Sequence, residues 1–496
     1  MRQLHLSFSA LILLTAATAI ALQAQTFRTI HSFDVTDGYN SQSPLIQATD
    51  GNLYGTTPVG GALGESGLGT IFKMTPAGEL TTLYNFCSQS RCTDGSYPYA
   101  ALIQATDGNF YGTTHEGGTK GYGTVFKVTL DGALTTIYSF CSKGACPDGA
   151  LPQGGLVQAA NGNFYGTTQY NSPIKGGGTV FEITPSGALK TLYTFCSESG
   201  CPDGQLPGSL IQARDGNFYG TTLYGGTSGF CTLEGGCGTV FEITPGGVFT
   251  TLYSFCSENN CTDGLYPYTA LVQASDGNLY GTTDQGGTCT VIEGGCGTIY
   301  KIAPNGTLTT GYSFCKLGGY CMDGEFSQGS LIQATDGNLY GPTRQGGAEP
   351  LDGTLFSITT GGKLTTLYRF DSTNAGHYSG TYPYAALVQY TDGTFYGTTL
   401  QGGSSDYGTV FSLSTGLGPF VETQTPAGRL GATVNILGTN LTGATGVAFN
   451  GTTAVFTVAS PSLITAAVPA GASTGFVTVT TSSGTLTSNQ LFRVTP

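Results

Sequence analysis

Tyr-Pro-Tyr occurs three times in this chain, at residues 97–99, 266–268 and 382–384. A tyrosine carries a flat apolar face and a hydroxyl, a pairing suited to stacking on a sugar ring or gripping a peptide. Tyr97, Tyr99, Tyr266, Tyr268, Tyr382 and Tyr384 are therefore candidate ligand contacts, although tyrosines also pack beneath loops. A series of Asp-Gly steps lies near them, at Asp94, Asp148, Asp203, Asp263 and Asp323, with Asp37 in the equivalent place near the start. Brought together, such carboxylates would attract a cation or a basic ligand. Taken singly, they are turn formers.

Fourteen cysteines fall into seven close pairs: Cys87/Cys92, Cys141/Cys146, Cys196/Cys201, Cys231/Cys237, Cys256/Cys261, Cys289/Cys296 and Cys315/Cys321. A zinc site needs four thiolates or imidazoles on one ion. Here the pairs are spread along the chain and only four histidines exist. The pattern predicts disulfides and no metal, hence an oxidising compartment. A loop of about six residues closed this way stabilises by about 2 kcal/mol in the chain-entropy model.

No catalytic constellation accompanies these groups. His31, His115 and His377 occupy unmatched positions, and there is no H-E-x-x-H, no G-x-S-x-G with partners and no phosphate-binding glycine loop. No catalytic residue and no cofactor are assigned. The formal net charge of −13 argues against nucleic acid and anionic membrane surfaces as partners.

What must position the tyrosines and acids is a repeated element. "DGN(L/F)YGTT" or a close variant occurs seven times, with its glycine at 51, 108, 162, 216, 277, 337 and 393. Each repeat holds four strand-like phrases, called a to d. In the second copy these are ALIQA (101–105), NFYGTT (109–114), GTVFKV (123–128) and LTTIYSF (134–140). Alternation and β-branched or aromatic residues predict strands. Four antiparallel strands repeated seven times predict a seven-bladed β-propeller. The first phrase, FRTIHSF at 27–33, matches d, and the seventh repeat ends at 414 without its own d. The N-terminal strand is expected to close the ring in the last blade.

Connections a–b and c–d are constant in length, while b–c and d–a vary. Because strands alternate in direction, the variable loops share one face, which also carries all the cysteine pairs. Strand a is expected to be innermost, which sets the Asp-Gly series at the mouth of the channel. The Asp-Gly-Asn turns, Asp50 and its counterparts, sit on the uniform opposite face as hairpin turns.

The phrases "GT(V/I)F.(V/I)TP.G.LTTLYSF" and "ALIQATDGN.YGTT..GG" resemble the GloVer-type tandem repeat, over residue 27 to about 414. That resemblance implies an exported bacterial protein of the choice-of-anchor kind. It implies architecture and location, not chemistry. From Pro419 cysteine and tyrosine disappear. "GATVNILGTNLTGATGVAFNG" (431–451), with the Gly438-Thr439-Asn440 turn and Val468-Pro469 before Gly475, resembles an IPT/TIG immunoglobulin-like domain, a spacer or adhesion module. Residues 1–24 read as a secretory signal, with basic Arg2, an apolar run at 11–22 and a cleavage site after Ala24. No second apolar run is long enough to span a bilayer.

The expected organisation is a signal at 1–24, the propeller at 25–417 and the immunoglobulin-like domain at 418–496. The expected protein is secreted or at the cell surface, monomeric and non-enzymatic. It would bind an extracellular glycan or protein through its variable face. Two alternatives stay open. One is a carbohydrate-active hydrolase or lyase using acids at the channel mouth. The other is a structural surface or matrix component.

Overall fold

The computed structural model describes residues 25–171, 176–228, 235–289, 294–318, 320–372 and 379–495. The signal-like segment 1–24, Cys231 and His377 lie outside the described residues. The fold is all-β, and the helical segments described are 3-10 turns of three residues.

Seven sheets occupy residues 26–414 with the order a-b-c-d, and the fourth has an additional short strand, Gln205–Pro207, paired with its strand b. The second sheet is representative: Ile103–Gln104, Phe110–Thr114, Thr124–Val128 and Leu134–Ser139. Strand a is shorter than its phrase predicts. It pairs with b through two residues, Ile103 with Tyr111 and Gln104 with Phe110. The residues before it instead turn across the central axis. Register shifts between c and d, as at Val125/Phe126, bulge the outer strands and add twist. The N-terminal strand Thr26–Ser32 pairs antiparallel with Thr409–Ser414 and completes the seventh sheet.

Adjacent sheets are joined by apolar clusters, and these run all the way round. One cluster packs Tyr54, Ile71 and Phe86 of the first sheet against Leu102, Phe110 and Phe126 of the second. Another packs Tyr390, Tyr396, Val410 and Phe33 of the seventh against Leu45, Leu53 and Phe72 of the first. Each fully buried aromatic of this kind stabilises by about 1.5–3 kcal/mol. A polar tie accompanies the packing. The strand-a glutamine accepts a backbone N–H from the sheet before it: Gln104 from Thr49, Gln158 from Thr106, Gln333 from Ser275, and Gln47 from Thr391 across the closure.

The repeated phrase is explained part by part. Its aspartate accepts the hydroxyl of the strand-b tyrosine, as Tyr111 does with Asp107 at 2.9 Å, and also the N–H of Asn109. Its glycine lies under the strand-c ring. A Cβ on Gly112 would sit 2.6 Å from Phe126. Its second threonine meets the strand-c threonine at 2.8–2.9 Å in every sheet, for example Thr114 with Thr124. The phrase is a turn and a strand, as its spacing predicts.

Residues 422–495 form a two-sheet sandwich around Val434, Ile436, Val447, Phe449, Ile464 and Phe492. It packs on the uniform face. Gln424 donates to the carbonyls of Gln104 and Ala105, Ser462 donates to Thr49, and Thr391 pairs with Thr439. Arg493 shares a cleft with Gly216 and Asn217, and Phe476 shares one with Gln333 and Thr335. The sandwich thus lies across the a–b turns and leaves the variable face open.

Candidate functional site

On the variable face a cavity of about 370 Å³ is lined by residues from all seven sheets. Its wall comes from the segment just before each strand a. At one repeat position stand Gln42, Tyr99, Gln153, Tyr268, Gln328 and Tyr384, all lining the cavity, with Gly208 in the shortened fourth repeat. Three tyrosines and three glutamines therefore face one axis.

The backbone that delivers them is strained in the same way seven times. Asn40, Tyr97, Leu151, Leu206, Tyr266, Phe326 and Tyr382 all have φ between 53° and 58°, the left-handed region that bulky residues avoid. Each strained residue leans on a neighbouring loop where a bond is seen: Tyr97 N–H donates to Leu68, Tyr266 to Cys237 and Tyr382 to Asp352. Local strain of about 1–3 kcal/mol per residue persists where surrounding structure enforces it, and it concentrates at ligand clamps. The first tyrosine of each Tyr-Pro-Tyr therefore shapes the rim, and the second reaches the cavity.

A second tier comes from the residue directly after the repeated Thr-Thr or Pro-Thr. That position holds Pro58, His115, Gln169, Leu223, Asp284, Arg344 and Leu400, so it changes in every repeat but two. Gln169 and Leu223 line the cavity. Gln169 donates to Gln153, which donates to the Tyr268 hydroxyl at 2.9 Å. Tyr268 is hydrogen-bonded to Tyr384 and meets it edge to face at 6.1 Å. Arg344 donates to Gln328 at 3.1 Å, and Gln328 donates to Asp284 at 2.8 Å. Desolvation raises the Asp284 carboxyl above the usual range, against the pull of Gln328 and Arg344. His115 packs edge-on against Tyr99 at 5.5 Å, and burial lowers its pKa. Sequence reasoning pointed to loops starting after the last threonine and, of the residues at this position, named His115 alone, without a role. Aligning the seven copies and reading that one variable column would have found them.

The ring of acids expected at the mouth is found elsewhere. None of Asp94, Asp148, Asp203, Asp263 and Asp323 lines the cavity. Each accepts the hydroxyl of its strand-d tyrosine, at 2.7–2.9 Å, from Tyr84, Tyr138, Tyr193, Tyr253 and Tyr312. Each also accepts an N–H of the cysteine loop. Their own loops take these carboxylates, and four of the five are fully buried. In the last sheet His31 replaces the tyrosine and meets Asp37 at 2.7 Å.

Six predicted disulfides are present: Cys87–Cys92, Cys141–Cys146, Cys196–Cys201, Cys256–Cys261, Cys289–Cys296 and Cys315–Cys321. No described cysteine is free. Beside the last two pairs lies Glu325, 5% exposed, with Oε2 unpartnered. Burial pushes its pKa from 4.5 up to about 7. The folded protein thus holds a proton there that the unfolded chain has released between those values. Stability contributed by this proton is full below pH 4.5 and is lost as pH rises to 7. At about 1.4 kcal/mol per pKa unit the loss is on the order of 3 kcal/mol. Glu325→Gln is expected to raise the urea midpoint at pH 8 and leave it nearly unchanged at pH 4.5. An equal shift at both pH values would refute the assignment.

Among solved structures, the extracellular domain of a hybrid two component system from B. thetaiotaomicron is similar at 11% identity and a TM-score of 0.48, over 83% of this chain. The chain spans 45% of that protein. A fungal alcohol oxidase of the AA5 family, in complex with copper, is similar at 13% identity and a TM-score of 0.49, over 95% of this chain and 99% of the oxidase. Neither likeness is strong enough to inform function. No curated protein matches. No helix among the described residues is long and apolar enough to cross a membrane. The Gloeobacter/Verrucomicrobia repeat model matches residues 16–233 and 231–455, and the IPT/TIG domain model matches 417–494. The chain belongs to the Gloeobacter/Verrucomicrobia repeat family and ends in an IPT/TIG domain.

Proposed function

We propose that this is an exported, non-enzymatic binding protein whose ligand, a glycan, enters the channel mouth. One observation carries the reading: a repeat that is otherwise nearly uniform directs three tyrosines and three glutamines into one 370 Å³ cavity. Tyrosine faces stack on sugar rings, and glutamine amides both donate to and accept from hydroxyls. The size falls in the range of small-ligand pockets. Tyr99, Tyr268 and Tyr384 are the stacking groups, and Tyr97, Tyr266 and Tyr382 form the rim. The disulfides support an oxidising compartment outside the cytosol. The IPT/TIG domain, packed on the other face, leaves the mouth free and serves as spacer or second contact.

The alternative of a glycoside hydrolase requires two carboxylates flanking the scissile bond. None of the described residues that line the cavity is an acid; Asp284 stands behind Gln328, and the five loop aspartates are engaged by their loops. The geometry therefore favours binding over turnover.

The test is a glycan and peptide array probed with the mature protein. A glycan signal is expected, and Tyr99→Ala, Tyr268→Ala and Tyr384→Ala combined should weaken it by at least about tenfold, from the loss of stacking area. Undiminished binding in the triple variant would rule out the channel mouth.

A further inference from the structure

Arg344 is half-buried behind the cavity-lining Gln328, and among the described residues its guanidinium has one acceptor, Gln328 Oε1. The ion pairs among the described residues are His31–Asp37 and Lys73–Asp50, so Arg344 is in none. An acid is nevertheless close. Asp284 is near enough for Arg344 to act on its carboxyl electrostatically. Gln328 stands between them, accepting from Arg344 and donating to Asp284. The amide acts as a spacer. It keeps the two charges from neutralising each other and leaves most of the five guanidinium donors without an internal partner. Tyr384, which lines the cavity, is also within electrostatic reach of Arg344.

We propose that the channel mouth selects a sugar unit bearing one carboxylate, with Arg344 as its anchor. The inference rests on the glycan reading above and narrows it. A carboxylate matches the guanidinium fork with two parallel hydrogen bonds. Tyr384 and Tyr268 stack on the ring, and Asp284 with Gln328 takes ring hydroxyls. A single negative charge suits the site. The chain as a whole is at −13 and repels polyanions at long range.

The experiment is calorimetric titration of the full mature protein at fixed ionic strength with three probes. They are a trisaccharide with one galacturonic acid unit, the same trisaccharide with that carboxyl reduced, and the reduced trisaccharide bearing a single O-sulfate. The acidic sugar is expected to bind at least about tenfold tighter than its reduced form, the strength of a charge-assisted hydrogen bond. Arg344→Gln should remove that preference. Arg344→Lys should restore part of it. Equal affinity for acidic and reduced sugars, with both lost in the tyrosine triple variant, would overturn the carboxylate proposal and leave the glycan reading standing. Preference for the sulfated probe would also overturn it. Binding of none of the three would overturn both.

Discussion

A mature chain beginning at Asp34, without the strand Thr26–Ser32, is expected to lose its cooperative fold. That strand supplies the outer edge of the seventh sheet through pairings from Thr26–Ser414 to Ser32–Thr409. Phe27 stacks on Tyr368 at 3.8 Å and also touches Phe370 and Phe411. Phe33 is fully buried against Phe72 of the first sheet, and its N–H donates to Gly408. Full burial of Phe33 alone stabilises by about 1.5–3 kcal/mol, and half-buried Phe27 adds to it. A domain's whole stability is about 5–15 kcal/mol. The deletion also exposes the edge of Thr409–Ser414, a template for aggregation. The truncated protein should therefore be insoluble or lack a sharp thermal transition. A permuted chain carrying residues 26–33 after Ser414 should regain that transition, because the contacts and not the chain order matter. A truncated chain that melts with the parent would refute closure as the source of stability.

The closure was legible because its two halves sit at opposite ends of the repeat region, FRTIHSF at the start and a seventh copy that stops at strand c. The strands were legible from alternation, since Tyr and Thr repeat at positions that the fold buries. Strand a was overestimated because ALIQA has strand composition along its length, whereas the segment must leave the sheet to line the axis. The candidate site was half legible. Tyr-Pro-Tyr is conspicuous, and its second tyrosine does reach the cavity. Gln42, Gln153 and Gln328 were missed because glutamine looks like any polar loop residue until the repeats are laid over one another. Arg344 and Asp284 are single occurrences in a variable column, so they stand out only once the seven copies are aligned. The Asp-Gly series misled for a different reason. Sequence shows that an acid is near the mouth in order along the chain. It does not show that a tyrosine ten or eleven residues earlier, such as Tyr253 before Asp263, will turn its hydroxyl onto that acid.

Replacing Asp263 by alanine is expected to destabilise the protein by about 3–5 kcal/mol, because it leaves several buried donors unsatisfied at about 1–3 kcal/mol each. Asp263 is fully buried. It accepts the Tyr253 hydroxyl at 2.8 Å, the Ser257 N–H at 2.9 Å, the Ser257 hydroxyl at 3.1 Å and the Glu258 N–H at 3.4 Å. Those donors bracket the Cys256–Cys261 disulfide, so the carboxylate organises the loop that the disulfide closes. Alanine strands several buried donors at once. Asparagine keeps one carbonyl and should cost less, about 1–3 kcal/mol. Guanidinium unfolding of the two variants would measure the difference. The pair also separates the two readings of the acids. If the series were a functional ring, Asp263→Asn would lower ligand binding or turnover with little change in stability. With the carboxylate serving its loop, the unfolding midpoint should fall, and glycan affinity measured well below that midpoint should stay at the parent value. The same result is expected at Asp94, whose partners Tyr84, Ser88 and Gln89 repeat the arrangement. A variant that binds poorly yet unfolds like the parent would return these acids to the ligand site.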